Sequence, residues 1–222
     1  MTDFVVIGGG FAGVSAAAHL APHGSVVLLE MEPSLAYHTS GRSAAMLVEN
    51  YGSAGSRPLV RGARDFLQHP PKGAVDSPLL SDRAVMWVAD RDGLEDLEAK
   101  AAMGRANGAE NELLQPSRAI ELMPALRPDW VAGALFEPSG ADIDVAALHQ
   151  AFVRVARSHD AELITSAPVS SITRQGAQWV VVAGDRSWPA SAVVNAAGAW
   201  GDVIAEMAGV EPIGLQPFRR TA

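Results

Sequence analysis

The 222-residue sequence contains no cysteine. Disulfides, cysteine-ligated zinc, iron–sulfur clusters and a thiol nucleophile are therefore excluded for these residues. A surplus of positive charge is missing too: 17 Lys and Arg stand against 25 Asp and Glu, for a net charge of −8. Proteins that hold nucleic-acid phosphates carry the opposite balance, so that class is set aside. No run approaches the ~20 apolar residues of a membrane-spanning helix. The apolar start, Phe4 to Leu20, has no basic leader and contains three consecutive glycines, unlike a secretory signal. These absences predict a soluble cytoplasmic protein with no nucleic-acid partner. What is present is 48% hydrophobic residues, enough for a folded core, and a length that predicts one large domain or two small ones.

The first thirty residues form one legible unit. Phe4 to Ile7 is a short β-branched run that reads as a buried strand. Gly8-Gly9-Gly10 breaks it, and from Phe11 to His23 the apolar positions Val14, Ala17, Ala18 and Ala21 recur at helical spacing. Gly24 ends the helix, and Ser25 to Glu30 is a second buried strand closing on an acid. Gly8-x-Gly10-x-x-Gly13 has the dinucleotide-binding spacing. Gly8 permits the tight turn, Gly10 lets a pyrophosphate approach the backbone, and Gly13 lets helix and strand pack closely. The helix N-terminus offers free N–H groups and the positive end of its dipole to phosphate. Glu30 lies where its carboxylate can accept the hydroxyls of an adenosine ribose, and an acid there repels the 2′-phosphate of NADP. The rival reading of the same glycines is a purely structural turn.

Downstream the regular strand–helix alternation stops. Residues 36–46 are small and polar without a clear period, and such a segment beside a dinucleotide site is usually functional. A helix is predicted over 53–67 with Arg57, Arg61 and Arg64 on a wet face, then extended structure over 78–90, a helix over 92–107, another from Ser117 to Pro124, and a strand over 130–137. Asp144 is expected to cap a helix running to about His159. Strands are predicted over 163–173, 178–182 and 192–198, and a helix over 199–208. The expected fold is α/β: a Rossmann-like FAD-binding domain with an inserted α+β substrate domain, incomplete at its C-terminal end. The expected boundaries are 1–75 and 142–210 for the FAD-binding domain, and 76–141 with 211–222 for a partial substrate domain.

Four segments occur in order: Val5 to Gly13, Thr39-Ser40-Gly41-Arg42-Ser43-Ala44-Ala45, Ser139 to Asp144, and Asn195 to Trp200. Together they resemble the FAD-dependent amine oxidoreductases of the D-amino acid oxidase and glycine oxidase type, from residue 3 to the end. Within that family the pattern is similar to D-arginine dehydrogenase. The resemblance implies FAD as cofactor, a small amino acid as substrate, and hydride transfer from its Cα–H to the flavin. It implies cofactor contacts at Gly8, Gly10, Ala12, Gly13, Glu30 and Met31, and along the ribityl chain and ring from Thr39, Ser40, Gly41, Arg42, Ser43, Ala44 and Ala45. Val169 would flank the adenine, and Ala197, Gly198 and Trp200 complete the contacts. Such enzymes are about half as long again, so the resemblance also implies a fragment lacking the remaining substrate sheet and an isolated chain without activity.

The same resemblance places the catalytic pocket at Arg220, Tyr51 and Met46. Arg220 matches a substrate-carboxylate site, where a planar guanidinium can make two parallel hydrogen bonds. Tyr51 matches an active-site tyrosine, or is a half-buried packing residue. Arg42 is a phosphate or ring partner, or a surface charge. Met46 stands where the D-arginine enzyme has a histidine and Val85 where it has a glutamate, so a neutral amino acid fits better than a basic one. His19 and His23 have metal-like spacing on one helix but no carboxylate nearby, and no metal is expected. Two other readings remain: an NAD-dependent dehydrogenase, disfavoured by the interrupted alternation, and a non-catalytic FAD-binding remnant.

Overall fold

In the computed structural model, residues 2–53 and 55–218 are described. In chain order, β1 is Thr2–Ile7, α1 Phe11–Leu20 and β2 Val26–Leu29. There follow β3 (Met46–Leu47), α2 (Arg57–Gln68), β4 (Leu80–Asp82), β5 (Val85–Ala89) and α3 (Leu94–Ala106). Next come β6 (Glu112–Leu114), α4 (Pro116–Leu122), β7 (Gly133–Glu137) and β8 (Ala141–Ile143). The last stretch holds α5 (Val145–Ser158), β9 (Glu162–Ile164), β10 (Val169–Gln175), β11 (Gln178–Ala183), β12 (Arg186–Asn195) and α6 (Gly201–Met207).

Two compact units result. The first takes Met1–Ser43, Lys72–Asp76 and Val145–Ala222, and the second Ala44–Pro71 and Ser77–Asp144. This division differs from the boundaries expected from sequence, which put residues 44–71 with the dinucleotide domain. The reason is pairing: β3 forms its ladder with β8, through Met46 opposite Asp142 and Leu47 opposite Ala141. A two-residue strand carries no period, so its partner nearly a hundred residues later is invisible locally.

The first unit is a six-stranded sheet in the order β10-β11-β12-β1-β2-β9. β1 runs parallel to β12 and β2, and β9 adds parallel to β2, while β10, β11 and β12 form an antiparallel meander. Strand alternation sorts the apolar side chains between two faces. Val6 and Leu28 pack with Val14, Ala17, Val153 and Ala156 of α1 and α5. Val5, Ile7 and Leu29 join Ile172, Val181, Trp188 and Ile204 on the other face. Full burial of each such leucine or isoleucine contributes about 1.5–3 kcal/mol. The strand expected over 163–173 is two strands on opposite edges of the sheet. Ser166, at φ +52°, and Pro168 break it. Residues 211–218, expected to belong to the partial substrate domain, carry no regular structure. They are held instead by Asp202, whose two carboxylate oxygens accept the N–H groups of Ile213 (3.1 Å) and Leu215 (2.6 Å).

The second unit contains two antiparallel three-stranded sheets, β3-β8-β4 and β5-β7-β6. The extended stretch expected over 78–90 is therefore divided between sheets. α3 covers one face of β5–β7 through Leu97 and Ala101 on Leu135 and Ala89, and Ala119 of α4 covers the other with Leu114 and Ala134. Two arginines of the expected wet face of α2, Arg57 and Arg64, are partly buried. Arg64 donates from Nε to Glu49 (2.6 Å) and from its guanidinium to the Ser139 carbonyl (2.7 Å).

Candidate functional site

The cleft of the first unit opens where β1, β2 and β12 end. Gly8 leaves β1 at φ +111°, and a Cβ there would overlap the Ala196 carbonyl at the end of β12. A Cβ on Gly13 would overlap the Gly8 carbonyl, so α1 approaches the strand as only glycine permits. At Gly10 the nearest atom a Cβ would meet is the Ser40 hydroxyl, 3.0 Å away. Its missing side chain leaves backbone open to the cleft that Gly8, Gly9 and Gly10 line. The helix start is capped by Ser40, whose Oγ accepts the Phe11 N–H at 3.0 Å.

Glu30 stands at the end of β2 and is only 8% exposed. Its Oε2 accepts the Gly9 N–H (2.6 Å) and its Oε1 accepts the Glu32 N–H (2.9 Å). A carboxylate has about four lone-pair sites, so two remain for ribose hydroxyls. Across the cleft, Ala167, Pro168, Val169, Val203 and Met207 make an apolar wall suited to a flat base. One rim is aromatic: the His38 ring lies 4.8 Å from that of Trp200, and His38 Nε2 is 2.8 Å from Glu32 Oε1. Open backbone for pyrophosphate, a buried carboxylate for ribose and an apolar wall for a base fit a dinucleotide.

Of the residues expected to touch cofactor, Gly8, Gly10, Glu30, Met31, Thr39, Ser40, Val169, Ala197, Gly198 and Trp200 line this cleft. Gly13 lies behind it against Gly8, and Ala12 is exposed in the first turn of α1. Gly41 and Arg42 end a 3-10 turn spanning Thr39–Arg42. The space a Gly41 side chain would fill is taken by the Ala36 carbonyl, and Arg42 lies 5.8 Å over the Tyr37 ring. Ser43 is exposed just beyond the turn. Ala44 and Ala45 fall in the second unit, where the Ala45 carbonyl accepts the Ile143 N–H at 2.9 Å.

Met46 and Tyr51 belong to the second unit, and Arg220 lies outside the described residues. Tyr51 is 61% exposed and stacks on Trp87, with ring planes 9° apart. Lys100 Nζ lies 3.8 Å over the Trp87 ring. Val85 opens β5 opposite Glu137 of β7. Glu137 is 2% exposed, and its Oε1 accepts the indole N–H of Trp87 at 2.6 Å.

His149 was not singled out by the sequence. It is 3% exposed, donates from Nε2 to the Gly9 carbonyl at 3.0 Å, and meets the Phe11 ring edge-on. The signal was its position: His149, Val153 and Ala156 follow helical spacing on the buried stripe of α5. His19, by contrast, bonds the Ser15 carbonyl of its own helix, and among the described residues no cluster could hold a metal ion. No helix of the described residues is long and apolar enough to cross a membrane.

Comparison with known proteins gives the site its family. Sarcosine dehydrogenase, mitochondrial, of Homo sapiens is 28% identical over 219 residues, covering 94% of this chain and 24% of that protein. Glycerol-3-phosphate dehydrogenase 1 of Mycobacterium tuberculosis is 31% identical over 219 residues, covering 89% of this chain and 42% of that one. The crystal structure of glycine oxidase from Geobacillus kaustophilus has a TM-score of 0.83 at 24% identity, covering 94% of this chain and 58% of that chain. The chain thus spans between a quarter and three-fifths of the length of these proteins. The profile of the FAD dependent oxidoreductases matches residues 3–222. The chain belongs to the FAD dependent oxidoreductase family.

Proposed function

We propose that this chain is the dinucleotide-binding part of an FAD-dependent dehydrogenase or oxidase acting on the C–N bond of a small amino acid, foremost a D-amino acid. The observation that carries the reading is the buried Glu30 carboxylate beside the open Gly8–Gly10 backbone. When bound, FAD supplies a two-electron acceptor for the hydride leaving the carbon next to nitrogen. The chain's own residues hold it: the N-terminus of α1 faces the phosphates, Glu30 the ribose, and Val169 and Met207 the base. The names of sarcosine dehydrogenase and glycine oxidase supply the amine substrate class. Arg220 would grip the substrate carboxylate through paired hydrogen bonds.

The side-chain pocket is proposed to favour neutral substrates. Val85 and Met46 carry no charge, and the nearby acid, Glu137, is buried against Trp87 rather than offered to a ligand. The test is anaerobic flavin bleaching in the longest natural protein that carries this chain. D-alanine, D-methionine and D-phenylalanine are compared with D-arginine, D-lysine and glycerol 3-phosphate. Bleaching by the neutral amino acids supports the proposal. A tenfold preference for the basic pair, about 1.4 kcal/mol of differential transition-state binding, overturns the neutral pocket. Bleaching by glycerol 3-phosphate alone replaces C–N by C–O oxidation, as the name of the mycobacterial relative allows.

A further inference from the structure

In the glycine motif Gly9 is a spacer position, yet every polar group of its backbone is used. Its N–H donates to Glu30 Oε2 at 2.6 Å. Its carbonyl accepts the Ala36 N–H at 3.1 Å and His149 Nε2 at 3.0 Å. A carbonyl can only accept, so His149 must carry a proton on Nε2. The two ties on the carbonyl differ in kind. Ala36 sits in an irregular surface segment at φ +56°, a left-handed conformation unfavourable to a residue with a side chain. His149 comes from the second turn of the fourteen-residue helix α5 and is fixed by burial and by the edge of Phe11.

The geometry of a peptide bond gives that tie its consequence. The peptide is planar and trans, so the carbonyl of Gly9 and the N–H of Gly10 point in opposite directions in one plane. Holding the carbonyl toward α5 turns the Gly10 N–H the other way. Gly10 lines the cleft, and its N–H finds no protein acceptor among the described hydrogen bonds. The next N–H along, that of Phe11, is already taken by Ser40 Oγ. We infer that His149 is a positioning residue for the dinucleotide: by anchoring the Gly9 carbonyl it aims the Gly10 N–H at a phosphate oxygen. The pair Glu30 and His149 then grips Gly9 from both sides, and one acid serves the loop and the ribose together.

This inference rests on the FAD reading, so its test includes arms that need no dinucleotide. In the wild-type chain, the nitrogen-15 spectrum of the imidazole is expected to show His149 protonated at Nε2 with a slowly exchanging proton. An Nδ1-protonated tautomer with a free Nε2 overturns the proposal. His149→Gln keeps an N–H donor at similar reach, whereas His149→Leu fills the space without one. Without FAD, His149→Leu is expected to move the Gly10 amide resonance, and His149→Gln to restore it. In a fluorescence titration, losing one buried hydrogen bond that orients the loop is expected to weaken FAD about tenfold in His149→Leu. His149→Gln is expected to bind within about twofold of wild type. If glutamine behaves like leucine, the histidine only fills space and the proposal falls. It falls equally if His149→Leu leaves both the Gly10 amide and the FAD affinity unchanged. If wild type binds no FAD while the Gly10 amide still responds, the anchor stands and the cofactor reading is what fails.

Discussion

Replacing Glu30 by glutamine exchanges one carboxylate oxygen for an NH₂ group and tests two functions at once. The carboxylate is 8% exposed and accepts one backbone N–H on each oxygen, from Gly9 at 2.6 Å and Glu32 at 2.9 Å. Glutamine offers one acceptor oxygen. Whichever way its amide turns, the NH₂ group faces a backbone donor, and one buried N–H loses its partner. Stranding a buried donor costs about 1–3 kcal/mol. In a chain of this size each kcal/mol lowers the melting temperature by about 2–4 °C. The flavin-free Glu30→Gln protein should therefore melt several degrees below wild type. FAD binding should weaken as well, because a ribose hydroxyl loses a charged acceptor; a further 1–3 kcal/mol is roughly 5- to 150-fold in Kd. Calorimetry of the flavin-free protein and a fluorescence titration with FAD read the two effects separately. Unchanged melting refutes the Gly9 contact, and unchanged affinity refutes the ribose assignment.

Gly10→Val should abolish FAD binding while leaving the fold intact, since the only atom within 4 Å of the new Cβ is Ser40 Oγ, at 3.0 Å; retained affinity in the same titration counts against the phosphate loop. Gly13→Ala should instead unfold the first unit, because its Cβ has the Gly8 carbonyl in its place; normal circular dichroism would contradict this. The Ser25 hydroxyl and N–H bonds hold the Asp3 carboxyl below its ordinary value, so stability from this contact is present above the usual carboxylate range and is lost as the pH falls through the lowered value. Asp3→Asn should flatten the acid limb of a stability–pH curve, and an unaltered limb refutes the contact. The 222-residue chain alone should bind FAD without turning over amino acids, and flavin bleaching that depends on added amino acid refutes this.

What the sequence made legible was local. The turn at Gly8, the helix after Gly10 and the acid at Glu30 lie within one βαβ unit, and each declares itself through period or backbone need. What it hid depends on distant pairing. Gly9 reads as filler until Glu30 and His149, 140 residues later, converge on its peptide. The Met46–Leu47 strand is too short to show alternation, so the shift of residues 44–71 into the second unit could not be foreseen. Arg64 shares a helical face with Arg61, yet Glu49 and the Ser139 carbonyl draw it partly out of solvent. The active-site placement of Tyr51 and Met46 came from family resemblance alone, and the described residues of the dinucleotide cleft include neither.

If the cleft of the first unit holds FAD through Gly8–Gly10 and Glu30, a crystal structure of the chain grown with FAD should show it. Both ribose hydroxyls of the adenosine are expected within about 2.5–3.0 Å of the Glu30 carboxylate, and a phosphate oxygen on the Gly10 N–H. A ribose bound away from Glu30, or a pyrophosphate that avoids the glycine turn, would contradict it.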